Sequence, residues 1–298
     1  MTPGPSDPPR DEATAGARQR GVSVLLCYDG SDDAQHAISS AAALLGPSSA
    51  VVFHARGRHS SAPLAQSGAD LARRHQFGPV STAEVDGEPS GAAILATAHE
   101  HRVALIVVGS QGMTGLPSSP LGSVSSSLLG RTDLPVLVVR SPNDPETFDV
   151  SGPIFVCYDG SAESHGAIEA AADLLVRGEA IVASFLEPVD DIALRQRSLP
   201  WPAPATMERR LARLDLGEAE LLTQRPSEGV ALAASRGLAA RPLVVEAAGE
   251  AWSELLDLAT DAAACCIAMG HHPTTKRLDS TAFRVVCHTD RPVLVVPR

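Results

Sequence analysis

The segment Val24-Leu-Leu-Cys-Tyr-Asp-Gly-Ser31 returns as Ile154-Phe-Val-Cys-Tyr-Asp-Gly-Ser161, 130 residues further on, and no other feature restricts the chain as strongly. Between Cys27 and Leu45, 11 of 19 positions are identical to Cys157–Leu175, more than an alanine-rich composition yields by coincidence. A second block, Thr132-Asp-Leu-Pro-Val-Leu-Val-Val139, recurs as Thr289-Asp-Arg-Pro-Val-Leu-Val-Val296 at an offset of 157. Both blocks keep their order, so the chain is a duplication of one unit of roughly 120–145 residues, an ordinary domain size. Its 298 residues then divide into a disordered lead at 1–20, a first domain at 21–142, a linker at 143–151 and a second domain at 152–298.

Within each unit, apolar runs alternate with helical patterns. In the first, Val22–Tyr28 suits a strand covered on both faces. Asp29-Gly30-Ser31 breaks it, and Ser31 with Asp32 and Asp33 makes a good helix start. Ala37, Ile38, Ala41, Ala42, Leu44 and Leu45 then share one helical face. Further strands are predicted at Ala50–Ala55, Val80–Val85, Ala104–Val108 and Pro135–Val139, with helices over Pro89–Arg102 and Ser123–Leu129. The second unit repeats the order, with strands near Ile154–Tyr158, Ile181–Phe185, Leu243–Glu246, Cys265–Met269 and Pro292–Val296. This alternation predicts an α/β fold of two tandem, doubly wound, mostly parallel five-stranded sheets with helices on both faces. Ligands of such folds sit at the carboxyl ends of the strands.

Two segments reach those ends in the first unit: Asp29 after the first strand, and a glycine-rich stretch after the fourth. A P-loop is excluded, because it needs a lysine after its last glycine and the only lysine is Lys276. A dinucleotide fingerprint is excluded too, since Asp29-Gly30-Ser31 stands where its glycines belong. What is present is Gly109-x2-Gly112-x9-Gly122-Ser123, bridging a strand and a helix start. Glycines let backbone approach phosphates closely. Ser123 and Val124 fall where free helix N–H groups favour an anion.

This spacing resembles that of the universal stress protein family, whose ATP-binding members carry G-x2-G-x9-G-S/T at this point. Asp-Gly-Ser after the first strand, His54-Ala55 ending the second, and Pro-Val-Leu-Val-Val after the Gly-Ser also match. The resemblance covers the chain apart from the lead and an insertion in the second unit. It implies a Rossmann-like fold of the adenine nucleotide alpha hydrolase type and an adenine nucleotide as ligand: ATP, with AMP and cyclic AMP as alternatives and magnesium left open. Residue by residue, Asp29 would meet the ribose or adenine region and Ala55 the adenine edge. Gly109, Gly112, Gly122, Ser123 and Val124 would cradle ribose and phosphates, with Ser125 as a side-chain donor. The plain alternative is that Asp29 caps a turn and the glycines only shape a loop.

The second unit departs from the pattern. Its fourth strand leads into Gly270-His271-His272-Pro273, with proline at the second glycine's place. The loop is four residues shorter, and Asp279 stands where Gly122 does. A carboxylate in that position opposes phosphate, so nucleotide binding is expected in the first domain only. His271, His272 and Asp279 show no recognisable metal-ligand spacing. A further 31 residues, around Glu187–Arg241, form an excursion that includes a charged helical candidate, Met207–Leu222.

Net charge of −11 argues against nucleic acid as partner. The apolar runs are too short to span a bilayer and Met1–Arg20 lacks an apolar block, so a cytoplasmic protein is expected. The five cysteines include no C-x-x-C pair and read as buried reduced thiols, with Cys265 and Cys266 on opposite faces of a strand. With no general base and no lysine or arginine clamp near the loop, no catalytic residue is assigned and the chain reads as a non-enzyme. Three functions remain: a nucleotide-binding regulator of stress response, an interaction scaffold with empty pockets, and, more weakly, a slow ATPase. The final strands, Leu134–Arg140 and Arg291–Pro297, are apolar edges. They are expected to pair antiparallel within one chain as a pseudo-dimer; homodimerisation and an unknown protein partner are left open.

Overall fold

The computed structural model describes residues 22–57, 63–112, 121–141, 150–176, 178–186, 224–246, 250–271 and 281–297. The lead, most of the linker, the loop positions 113–120, the charged segment 207–222 and the loop with Pro273 and Asp279 lie outside the described residues.

The first half runs β1 (Ser23–Cys27), α1 (Asp32–Leu45), β2 (Ser49–Arg56), α2 (Leu64–Arg74), β3 (Val80–Asp86), α3 (Gly91–Glu100), β4 (Leu105–Gly109), α4 (Ser123–Leu129) and β5 (Val136–Val139). The second runs β6 (Ile154–Cys157), α5 (Ala162–Leu174), β7 (Glu179–Leu186), α6 (described over 224–235), β8 (Ala239–Glu246), α7 (Ala251–Asp261), β9 (Cys266–His271), α8 (Thr281–His288) and β10 (Val293–Pro297).

These strands form a single ten-stranded sheet in the order β3-β2-β1-β4-β5-β10-β9-β6-β7-β8. Each half is a parallel sheet whose order reverses at its first strand, as expected of a doubly wound fold. The halves join through β5 and β10, which pair antiparallel with Leu137 opposite Leu294. The expected union of the two final strands is therefore what the fold contains, and it turns two apolar edges into the middle of one sheet.

Side-chain alternation along the strands splits the core into two layers. Val24, Leu26 and Tyr28 face the layer that α1, α2, α5 and α6 cover. Leu25 and Cys27 face the layer under α3, α4, α7 and α8. Both layers run unbroken across the joint: Leu137 and Leu294 share one, Val136 and Val295 the other. Cys265 and Cys266 both belong to the first layer, against the expectation of opposite faces, because Cys265 precedes the strand and its alternation has not begun.

The turn that ends the first strand is built identically in both halves. Gly30 has φ 89° and Gly160 φ 81°, the left-handed region that favours glycine. The serine that follows caps the next helix: Ser31 Oγ accepts from Ala34 N–H at 3.2 Å and Ser161 Oγ from Ser164 N–H at 3.1 Å. The repeated Asp-Gly-Ser is thus a strand-to-helix corner.

Candidate functional site

Asp29, Ala55, Gly109, Gly112, Gly122, Ser123, Val124 and Ser125 come from four separated stretches of chain, and all eight line one cavity of about 290 Å³. It opens at the carboxyl ends of β1, β2 and β4, where the strand order reverses. Phe53, Ile94 and Val108 give it an apolar wall. Among its described lining residues there is no lysine or arginine.

Asp29 takes the corner-fixing role the sequence allows it, and it also lines the cavity. Its Oδ1 accepts from Ser31 N–H at 2.9 Å and from the Ser31 hydroxyl at 2.6 Å, fixing the corner. Its other oxygen lies beside the loop after β4. A Cβ built on Gly112 would stand 2.7 Å from Asp29 Oδ2, so a side chain there would displace this carboxylate. Gly109 meets the first turn of α1 just as closely, with a Cβ there 2.9 Å from Asp33 Cβ and 3.0 Å from Ala34 N. His54 is buried at the end of β2, its Nδ1 2.9 Å from Tyr28 O, and so ties β1 to β2 next to Ala55.

Across the loop, Gly122 is the extended residue ahead of α4 and its N–H donates to Ser110 O at 2.8 Å. The first amide to close back into the helix is that of Ser126, on Gly122 O at 2.9 Å. The N–H groups of Ser123, Val124 and Ser125 precede it and by helix geometry have no acceptor within α4. The Ser125 hydroxyl differs from its expected part as a donor to ligand. It is buried and donates to Gly109 O at 2.9 Å, fastening α4 to the end of β4.

Asp33, which the sequence offers only as a helix-start carboxylate, organises this end of the sheet. Asp33 Oδ2 accepts from the Ser110 hydroxyl at 2.6 Å and from Gln111 N–H at 2.8 Å, while Oδ1 accepts from Ser141 N–H at 3.0 Å. Burial pushes the Asp33 carboxyl up, but these hydrogen bonds from Ser110, Ser141 and Gln111 outweigh it and hold it below the usual carboxylate value. In the sequence Asp33 looked like an ordinary acidic first-turn residue, because its partners are 77, 78 and 108 positions away.

The corresponding region of the second half keeps the corner and changes the walls. Asp159 Oδ1 accepts from Ser161 N–H at 2.9 Å, and the Ser184 hydroxyl replaces the His54 ring in donating to Tyr158 O at 2.8 Å. Phe185 occupies the position of Ala55, and Glu163 that of Asp33. Glu250 precedes α7 as Ser90 precedes α3; it accepts from Trp252 Nε1–H at 2.7 Å and from Arg284 at 3.4 Å. A Cβ on Gly270 would lie 2.6 Å from Glu163 Cβ, so the close approach of strand end and helix start survives here as at Gly109.

Comparison with known proteins places the architecture. A profile of the universal stress protein family matches residues 23–140 and again 151–297. Over 59 residues the chain is 48% identical to universal stress protein YxiE of Bacillus subtilis (strain 168), a stretch covering 20% of this chain and 39% of that relative. The match thus spans about two fifths of the relative's length. A universal stress protein structure from Archaeoglobus fulgidus DSM 4304 superposes with TM-score 0.59 at 15% identity, covering 93% of this chain and 96% of that one. A putative universal stress protein from Pseudomonas aeruginosa UCBPP-PA14 gives TM-score 0.57 at 16% identity over 94% and 95% of the two chains. At these identities the structures speak for the fold alone, whereas the profile spans both halves of the sequence: the chain belongs to the universal stress protein family.

Proposed function

We propose that this protein is a non-enzymatic, cytoplasmic regulator of stress response that binds one adenine nucleotide, ATP in the first instance, through its first half alone. The observation that carries the reading is the convergence of Asp29, Ala55 and the Gly109–Ser125 residues on one cavity at the topological switch point. The cradle fits a phosphate-bearing ligand. A side chain at Gly112 would press on the Asp29 carboxylate, and glycine leaves backbone to face the ligand there. The amides of Ser123, Val124 and Ser125, which have no acceptor within α4, supply donors at this end of the cavity. Tyr28 and His54 are held by the sheet, and the apolar wall of Phe53, Ile94 and Val108 offers a base-sized surface beside Ala55.

Restriction to the first half rests on three replacements. Phe185 puts a ring where Ala55 leaves space, Asp279 a carboxylate where Gly122 leaves none, and Pro273 lacks the N–H that Gly112 has. Calorimetry of the full chain with ATP, AMP and cyclic AMP, with and without magnesium, tests the reading. One site per chain is expected; two equivalent sites would reject the asymmetry, and no heat with any of the three would reject nucleotide binding.

A further inference from the structure

Asp33 stands behind the candidate site, not in its wall, yet it joins three segments that define the site's shape. Strands β4 and β5 are parallel neighbours whose last pair is Gly109 with Val139, and Ser110 N–H still donates to Val139 O at 2.7 Å. Beyond that point the two chains diverge, one into the glycine loop and the other into the linker. The Asp33 carboxylate sits in the fork: Oδ2 holds Ser110 and Gln111 on one branch, and Oδ1 holds Ser141 on the other. Gln111 lines the cavity between Gly109 and Gly112. We propose that Asp33 is a positioning residue for the nucleotide's phosphates, setting the Ser110–Gly112 backbone at the height the ligand meets. The inference rests on the nucleotide reading of the cavity.

The geometry demands a carboxylate. Each Asp33 oxygen faces a backbone N–H, Ser141's on one side and Gln111's on the other. An asparagine amide would set its own NH2 against one of those N–H groups in either flip, so no rotamer keeps both bonds. Glutamate, the residue of the second half at position 163, is one methylene longer and cannot sit in the same fork without moving α1 or the loop. An isolated helix-start carboxylate would tolerate either exchange; a fork carboxylate does not.

The test compares ATP with adenosine, which lacks phosphates, by calorimetry on the full-length protein and its Asp33→Asn and Ser110→Ala variants. Asp33→Asn is expected to weaken ATP at least tenfold and leave adenosine within about twofold. Ser110→Ala, which removes a hydroxyl partner and keeps both N–H bonds, is expected to weaken ATP less, and the double variant to add little to Asp33→Asn alone. If Asp33→Asn fails to fold, Ser110→Ala alone decides, through the same ATP-against-adenosine difference. Equal loss for both ligands, or no loss, in a protein whose parent binds ATP would overturn the positioning role. A parent that binds neither ligand would instead remove the nucleotide reading, and this inference with it.

Discussion

Leu137 and Leu294 face one another across the β5–β10 pair, and each is the other's counterpart in the duplication. A pseudo-twofold axis therefore passes between them. A second pair of counterparts also touches: Val176 Cγ1 comes within 2.7 Å of the place a Cβ on Gly46 would take, and Val176 N–H donates to Leu44 O at 2.9 Å. The halves meet through equivalent residues at two points, one within the sheet and one where α1 ends.

Truncation at the axis should weaken both halves together. Leu137 and Leu294 are fully buried, and Leu137→Ala is expected to cost about 2–5 kcal/mol, as large-to-small core changes do. Because the side chains belong to one layer, the Leu137→Ala/Leu294→Ala double variant should depart from additivity. Scanning calorimetry should show one transition moving down as a unit. Two transitions, only one of them shifted, would mean that the halves fold independently.

Arg140 bridges the joint from the other side. Its Nη2 donates to Cys287 O at 2.9 Å, near the carboxyl end of α8, where a cation meets unpaired carbonyls favourably. Arg140→Met keeps the apolar stem and removes this bond, at an expected cost of about 1.5–3 kcal/mol, the range for a hydrogen bond to a charged group. Hydrogen exchange in the last turn of α8 should accelerate while β1 stays protected.

Gly122→Asp copies the residue that the second half carries at that position. The Gly122 φ of −64° suits any residue, and a Cβ would lie 3.3 Å from Ser110 O, a contact relieved by a small shift. The domain should fold, with a carboxylate now set among the donors offered to phosphate. A loss of two or more decades in ATP affinity is expected, of order 3 kcal/mol. Unaltered affinity in a folded variant would place the phosphates elsewhere.

The thiols make an alkaline prediction. Burial, with Asp159 adding to it, pushes Cys157 up to about 12; burial likewise raises Cys27, Cys266 and Cys287. In the unfolded chain the same groups ionise at about 8.5. A raised folded value means that stability is full below the unfolded value and is lost as pH climbs from there toward the folded one. The melting temperature should hold to about pH 8 and then fall. A thiol reagent at pH 8 should find the buried Cys266 and Cys287 slow in the native protein, the half-buried Cys27 and Cys157 faster, and all reactive in denaturant. Rapid native labelling of Cys266 would contradict its burial.

The architecture was legible because it rests on local patterns repeated twice: apolar strands, a capping serine, and a matching final strand whose apolar edge needed a partner. Strand limits shifted by only a few residues, as between predicted Ile181–Phe185 and observed Glu179–Leu186. Helix α2 is absent from the sequence-based expectation, since Leu64–Arg74 fully buries only alanines and a glycine, and its two large apolar residues, Leu64 and Leu71, are partly buried and too few to announce a helical face. The glycine spacing located the cavity, yet its apolar wall and Asp33 were invisible. Phe53, Ile94 and Val108 read as ordinary core positions, and only the fold reveals that they border an opening. Ser125 shows the converse, a residue in the right place whose hydroxyl is committed to Gly109.

Because β5 and β10 run antiparallel, the carboxyl ends of the two sets of parallel strands point to opposite ends of the molecule. A twofold pair of identical subunits built this way would be bivalent, showing one mouth at each pole and able to link partners into a chain. Here one pole presents the cavity of the first half, and the other presents Phe185 and the Glu250–Arg284 pair. Within one fused chain the two poles can carry different residues, as Phe185 against Ala55 shows. On the proposed reading, a partner sensing the nucleotide would dock at a single pole, and the protein would end a chain of contacts where a symmetric pair would extend one.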